Sequence, residues 1–245
     1  MAYTTIDDPS AYFQTHLYAG SNSDITATFN GNSDLQPDWI WFKSRSSDND
    51  HLTYDSVRGV GKRLQPNATD AEVDRSGNND ELKSFNTNGW TLGTFNSNIT
   101  GAGKTCVSWN WKAGTSVSGN TSGGTAKAYS GSVSTDAGIS IITYLGNDNS
   151  AHVVPHHLGV APELTIIKER SNADIWVVQN SHLGFGNYMT LHTTNASTTT
   201  GGNFITSVSS SAVTMNENAV NNANDESYIL YSFASKQGYS KIGTY

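Results

Sequence analysis

The chain has one cysteine, Cys106, and five prolines in 245 residues. A single thiol excludes an internal disulfide framework and any zinc site built on cysteines. Charge is scarce as well: 14 Lys and Arg stand against 21 Asp and Glu, for a formal net charge of −7. With no global positive field, neither nucleic acid nor anionic membrane is an expected partner. No run of about 18 apolar residues occurs, so no membrane insertion is expected. Met1–Asp8 lacks the basic start and apolar stretch of a signal peptide, which predicts a complete, soluble product synthesised in the cytoplasm. Low charge does not make the chain disordered, because aromatics form 10% of it and six residues are tryptophan.

Asn, Ser, Thr and Gly take the place of charge, and these residues favour turns and neutral polar surfaces over helix interiors. Short β-branched or aromatic runs are bounded by polar clusters at Trp39–Lys43, Leu164–Lys168 and Asp174–Val178. Cys106–Trp111 and Tyr228–Phe233 alternate large with small or polar side chains, as a strand with two different faces requires. No window carries the apolar spacing of a helix of ordinary length; Asp70–Asp74 could form one turn. The predicted class is therefore all-β.

Shifting the chain by 125 residues lays Pro37–Ala71 on Pro162–Ala196 with nine identities in 35 pairs, among them Lys43/Lys168, Arg45/Arg170, Ser56/Ser181 and Gly59/Gly184. Tyr18-Ala19-Gly20 matches Tyr144-Leu145-Gly146 at a shift of 126, and Trp109-Asn110-Trp111 matches Tyr231-Ser232-Phe233 at 122. Between the copies, 114–137 has the Gly/Ser/Thr composition of a flexible linker. The expected organisation is two tandem homologous β-sandwich, jelly-roll-like domains, 1–113 and 138–245, joined by that linker.

Motifs for chemistry are sparse. Gly101-Ala102-Gly103-Lys104-Thr105 resembles the end of a phosphate-binding loop, but Asn98 stands where the first glycine belongs and a strand follows, so a turn is expected. His152, His156 and His157 include an H-x3-H pair without evident further ligands, and read as surface or turn histidines; no metal and no cofactor is expected. Asp7, Asp8, Asp34, Asp38, Asp55, Glu163 and Asp174 are catalytic candidates by residue type alone, and read as solvated acids. No nucleophile elbow or H-E-x-x-H occurs. The predicted protein is not an enzyme.

Trp39 and Trp41, like Trp109 and Trp111, are spaced by two and face one side of a strand each, which makes them candidates for stacking on a glycan. Trp90, Trp176 and Cys106 read as core. Lys43 and Arg45, with Lys168 and Arg170, recur at a strand end and are candidate assembly contacts, against an intradomain ion pair as the plainer reading.

Tyr3–Ile6, Tyr12–Gly20, Gln36–Ser46, Tyr54–Gly59, Leu82–Phe85, Gly89–Gly93 and Ser108–Gly114, followed by His156–Pro162 and Gly238–Tyr245, resemble a repeated domain of virion proteins from marine tailed bacteriophages, including cyanophages and pelagiphages. The resemblance covers nearly the whole chain; it departs at His157, where that family tends to have glycine, so a different turn is expected there. It implies a structural protein on the virion exterior, either capsid decoration or a compact tail-fibre component, and supplies no catalytic motif. Its implied partners are other capsid or tail proteins and, for a receptor-binding tail protein, a host surface glycan; a polysaccharide depolymerase is the enzymatic alternative. Tandem duplication favours a homo-oligomer, a trimer being the form that presents six similar folds to a six-fold site.

Overall fold

A computed structural model of the chain describes residues 4–94, 97–184, 186–199 and 204–244. Tyr3 and Tyr245 of the resemblance-bearing segments lie outside the described residues. The all-β expectation holds: among the described residues the α-helical segments are two of four residues each. Two compact units divide the chain, a first of Asp7–Asn67 and Glu72–Ala113, and a second of residues up to Ile6, Ala68–Ala71 and Gly114 onward.

The first unit runs β1 (Phe13–Ala19), β2 (Ile25–Thr28), β3 (Trp39–Ser44), β4 (Leu52–Asp55), β5 (Lys62–Arg63), β6 (Val73–Asp74), β7 (Leu82–Asn86), β8 (Gly89–Leu92), α1 (Ser97–Thr100) and β9 (Thr105–Trp111). One antiparallel sheet has the order β1-β9-β3-β4, the other β2-β8-β7. Alternation turns Ile40, Phe42, Leu52 and Tyr54 inward, where they meet Ala27, Leu82, Trp90 and Leu92 of the smaller sheet. Trp90 is the hub of this sandwich-like core. It is fully buried, meets Tyr18 and Phe42 edge-on at 4.9 and 5.0 Å, and donates its indole N–H to Ser108 Oγ at 3.1 Å.

Beside β4 lies a buried ion network. Arg58 Nε meets Asp55 at 2.5 Å and its Nη1 meets Glu72 at 3.0 Å, while Glu81 pairs with Arg63 and accepts from the Tyr54 hydroxyl at 2.9 Å. Asp70–Asp74, at most one helical turn by its sequence, forms none. Glu72 is drawn to Arg58 and Val73–Asp74 pairs with β5, which outweighs an isolated turn with its costly nucleus.

The second unit runs β10 (Thr115–Asn120), β11 (Ala128–Ser134), β12 (Ile139–Leu145), β13 (His152–Pro155), β14 (Leu164–Glu169), β15 (Trp176–Asn180), β16 (Asn187–Thr190), β17 (Thr198–Thr199), β18 (Ile205–Val208), β19 (Ala212–Met215), α2 (Ala219–Asn222) and β20 (Ser227–Phe233). Eight strands form the sheet β10-β11-β12-β20-β14-β15-β16-β17, and three form β13-β19-β18. Ile142, Tyr144, Leu230 and Tyr228 of the large sheet pack with Val154, Val213 and Met215 of the small one.

The expected linker at 114–137 is therefore corrected: most of it is two strands. Tyr129 and Val133 alternate into the core and Val117 packs against them, a pattern that the Ser/Thr/Gly composition hides. Gly131 serves packing, not flexibility, since a Cβ there would come within 2.3 Å of Ile142 Cδ1. His157 adopts φ +58, the left-handed backbone that glycine favours, and its Nε2 shares a hydrogen bond of 2.9 Å with the Tyr129 hydroxyl.

His152 and His156 are buried, contrary to the surface reading. His152 Nδ1 bonds Asn222 Oδ1 at 2.6 Å. His156 Nδ1 accepts from the Leu158 N–H at 3.1 Å, so its proton sits on Nε2 and is donated to the Ser209 carbonyl, also at 3.1 Å. Burial holds both imidazoles below the ordinary histidine value of 6.5. The unfolded chain takes up protons near that pH while the folded chain does not, so stability is full above it and is lost as pH falls towards the folded values. The melting temperature therefore falls between pH 7 and pH 5, and His156→Gln flattens that slope; a wild-type melting temperature constant over this range contradicts the assignment.

Candidate functional site

Of the two faces of the β1-β9-β3-β4 sheet, one closes the core and the other carries the odd-numbered residues of β1, β3 and β9. Register places Trp111 between Phe13 and Trp39, and Trp109 between Thr15 and Trp41. The four tryptophans predicted as a stacking surface thus come from two neighbouring strands and share one face. Trp39 and Trp111 stack at 4.6 Å with 28° between planes; Phe13 meets Trp111 at 5.0 Å, and Trp41 meets Trp39 at 5.9 Å. Trp39, expected to stack on a glycan, is instead buried at 3% exposure and anchors the array, with its indole N–H on Thr53 Oγ1 at 2.5 Å. Trp41, Trp109 and Trp111 are half-buried, beside exposed Thr15 and Leu17.

His51 completes this array, and sequence reasoning missed it. The signal was the hairpin register: Phe42 pairs with Leu52, so continuing one residue puts His51 opposite Lys43 on the tryptophan side. Its Nδ1 accepts the Trp41 indole N–H at 2.8 Å, with the rings edge-on at 5.7 Å. That bond needs a neutral imidazole protonated on Nε2. Burial, and then the Lys43 ammonium, push its pKa down, with Asp50 opposing.

The proposed assembly lysines have another use. Lys168 is 0% exposed, donates to the carbonyls of Glu169 at 2.6 Å and Asn172 at 3.3 Å, and cannot touch a partner as placed. Desolvation lowers its pKa to about 8, with the carboxylates of Glu169, Asp174 and Asp70 opposing. Lys43, in the first unit, donates to the Asn49 carbonyl at 2.5 Å. Each ammonium satisfies a carbonyl of the loop after its strand, which gives a local reason for a lysine at both positions. Arg45 is exposed and forms no ion pair among the described residues; Arg170 is half-buried, its N–H bonded to the Ser227 carbonyl at 2.8 Å.

Five of the seven candidate acids have structural duties. Asp55 holds Arg58; Asp38 accepts from Ser56 Oγ at 2.6 Å and the Ala113 N–H at 2.9 Å; Glu163 accepts from Ser235 Oγ at 2.8 Å; Asp174 accepts from the Ile175 N–H at 2.7 Å. Asp8 accepts from Ser10 and Ser33, each at 2.6 Å, and those bonds lower its pKa. Asp7 and Asp34 are exposed. Gly101–Thr105 forms a turn closed by the Lys104 N–H on the Gly101 carbonyl at 3.1 Å and leads into β9, so no helix N-terminus faces it. Trp90, Trp176 and Cys106 are core residues as expected, and burial raises the Cys106 pKa. Among the described residues no three His, Cys, Asp or Glu side chains are grouped to hold a metal, and no helix is long and apolar enough to cross a membrane.

A family model for a domain of unknown function, DUF7483, matches residues 8–245 and so includes the whole aromatic face. The chain belongs to the DUF7483 family. No curated protein and no solved structure matches it. Within this DUF7483 chain, protonating His51 removes the acceptor of the Trp41 indole. The Trp41 indole N–H signal in NMR is expected to titrate with a midpoint below 6.5, and His51→Leu to abolish that titration at a cost of about 1 kcal/mol in stability. A Trp41 titration that persists in the variant would contradict the His51–Trp41 pairing.

Proposed function

We propose that this chain is a non-enzymatic structural protein of the exterior of a tailed-bacteriophage virion, built from a duplicated β-sandwich, with its tryptophan face as a glycan platform. Duplication is supported by equivalent strand order. The first unit's β1-β9-β3-β4 and β2-β8-β7 correspond to β12-β20-β14-β15 and β13-β19-β18 in the second, with strand starts offset by 126 at Phe13/Ile139, 125 at Trp39/Leu164 and 122 at Thr105/Ser227. The matched serines of the repeat also do the same work: the Ser56 N–H bonds the Asp38 carbonyl and the Ser181 N–H the Glu163 carbonyl, each at 2.8 Å.

The observation that carries the glycan reading is the cross-strand pair Trp41 and Trp109, half-buried beside the exposed Thr15. Trp41, held by the His51 hydrogen bond and by Trp39, offers a ring to the CH face of a sugar with little rotamer freedom left to lose on binding. A neutral surface rich in Asn, Ser and Thr suits a protein displayed outside a particle, and the resemblance to virion proteins supports a capsid or tail reading.

Titration with oligosaccharides cut from host surface polysaccharide should quench tryptophan emission, and Trp109→Ala should weaken binding about tenfold, or about 1.4 kcal/mol, with the fold retained. Binding unchanged in Trp109→Ala and Trp41→Ala would overturn the platform, and shortening of the polymer during incubation would overturn the non-enzymatic reading. Asymmetric cryo-electron microscopy of the particle distinguishes a shell-wide lattice of copies from a few at the tail.

A further inference from the structure

The outer edge of β1 is open. β1 pairs with β9 on one side only, and the ladder ends in bonds at Lys112 N–H to Tyr12 carbonyl and Gly20 N–H to Lys104 carbonyl. The even-numbered residues therefore bond to β9, and Phe13, Thr15, Leu17 and Ala19 point their N–H and C=O groups outward, with no partner among the described residues. Other edges of comparable position are closed: Thr53 and Leu64 exchange two bonds beyond β4, and β12 in the second unit is covered by β11 along its length.

Open edges in soluble proteins are ordinarily guarded by charge, proline, a bulge or short length. β1 has none of these. Its seven residues, Phe13-Gln14-Thr15-His16-Leu17-Tyr18-Ala19, include no Lys, Arg, Asp, Glu or Pro, and they pair with β9 without a register shift. Leu17 is 59% exposed, the most exposed large hydrophobic side chain among the described residues.

We propose that β1 is a docking edge for a second copy of this chain, the two β1 strands pairing antiparallel about a two-fold axis at His16. That axis makes the edge self-complementary: Thr15 faces Leu17 of the second copy, Phe13 faces Ala19, and all four are residues whose backbone groups point outward. β-Sheet extension of this kind takes affinity from main-chain bonds, and Leu17 loses its exposure against the facing threonine. Because the axis stands normal to the sheet, the tryptophan faces of both copies lie on the same side of one continuous sheet. The edge inference does not depend on the glycan reading.

The test is the mass of the full chain in solution, with hydrogen exchange to locate the contact. A species of twice 26.3 kDa is expected, with slow exchange at the Thr15 and Leu17 amides that is lost on dilution. Leu17→Lys should give a monomer that unfolds cooperatively at the melting temperature of the dilute, dissociated wild-type chain. Thr15→Pro, which removes only an outward N–H, should do the same if the lysine variant fails to fold. A wild-type monomer, a dimer surviving both substitutions, or protection on the polar edge strand β10 instead would overturn the proposal.

Discussion

The register of β9 between β1 and β3 is the constraint on which the first unit depends. β9 is the second strand of a four-stranded sheet, so each of its side chains has neighbours on both flanks, and its alternation must satisfy two unlike environments at once. Cys106, Ser108 and Asn110 face the sandwich interior, where Ser108 receives the Trp90 indole and Asn110 donates to the Gln14 carbonyl at 2.9 Å. Trp109 and Trp111 face the other way. A slip of one residue would drive two tryptophans into a core already filled by Trp90 and leave Cys106 and Asn110 on the aromatic side.

Much of this arrangement is legible in the sequence. The spacing of Trp39 with Trp41 and of Trp109 with Trp111 fixes which rings share a strand face, and the apolar runs mark β3, β14 and β15. Pairing between distant segments is not legible, so the meeting of the two tryptophan pairs across the β3–β9 ladder came only with the structure. His51 belongs to the same class, because a lone histidine in a polar loop becomes informative only once Leu52 is known to face Phe42.

The misreadings have physical causes too. Ser, Thr and Gly in 115–134 look like a linker when counted, yet Tyr129 and Val133 fall at alternate core-facing positions and a Cβ at Gly131 would meet the Ile141 carbonyl oxygen at 2.4 Å. Lysine is rarely buried, which favours an assembly contact or an ion pair at Lys168, but an ammonium that reaches the carbonyls of Glu169 and Asn172 meets its hydrogen-bonding needs inside the fold. The polar setting of His152 and His156 likewise favours the surface, yet both are buried. Their ring nitrogens serve as internal cross-links to Asn222, Ser209 and Leu158, a use that no spacing rule announces.

The second unit spends its polar side chains on stability, whereas the first combines a buried ion network with an aromatic face that its own core does not need. The proposed glycan platform lies on that face of the first unit, at Trp41 and Trp109. The most direct test is to follow the six tryptophan indole N–H signals by NMR during titration with host surface oligosaccharide. Shifts confined to the Trp41, Trp109 and Trp111 signals, with Trp90 and Trp176 unmoved, are the predicted result. Uniform shifts across all six, or none at Trp41 and Trp109, would contradict the account.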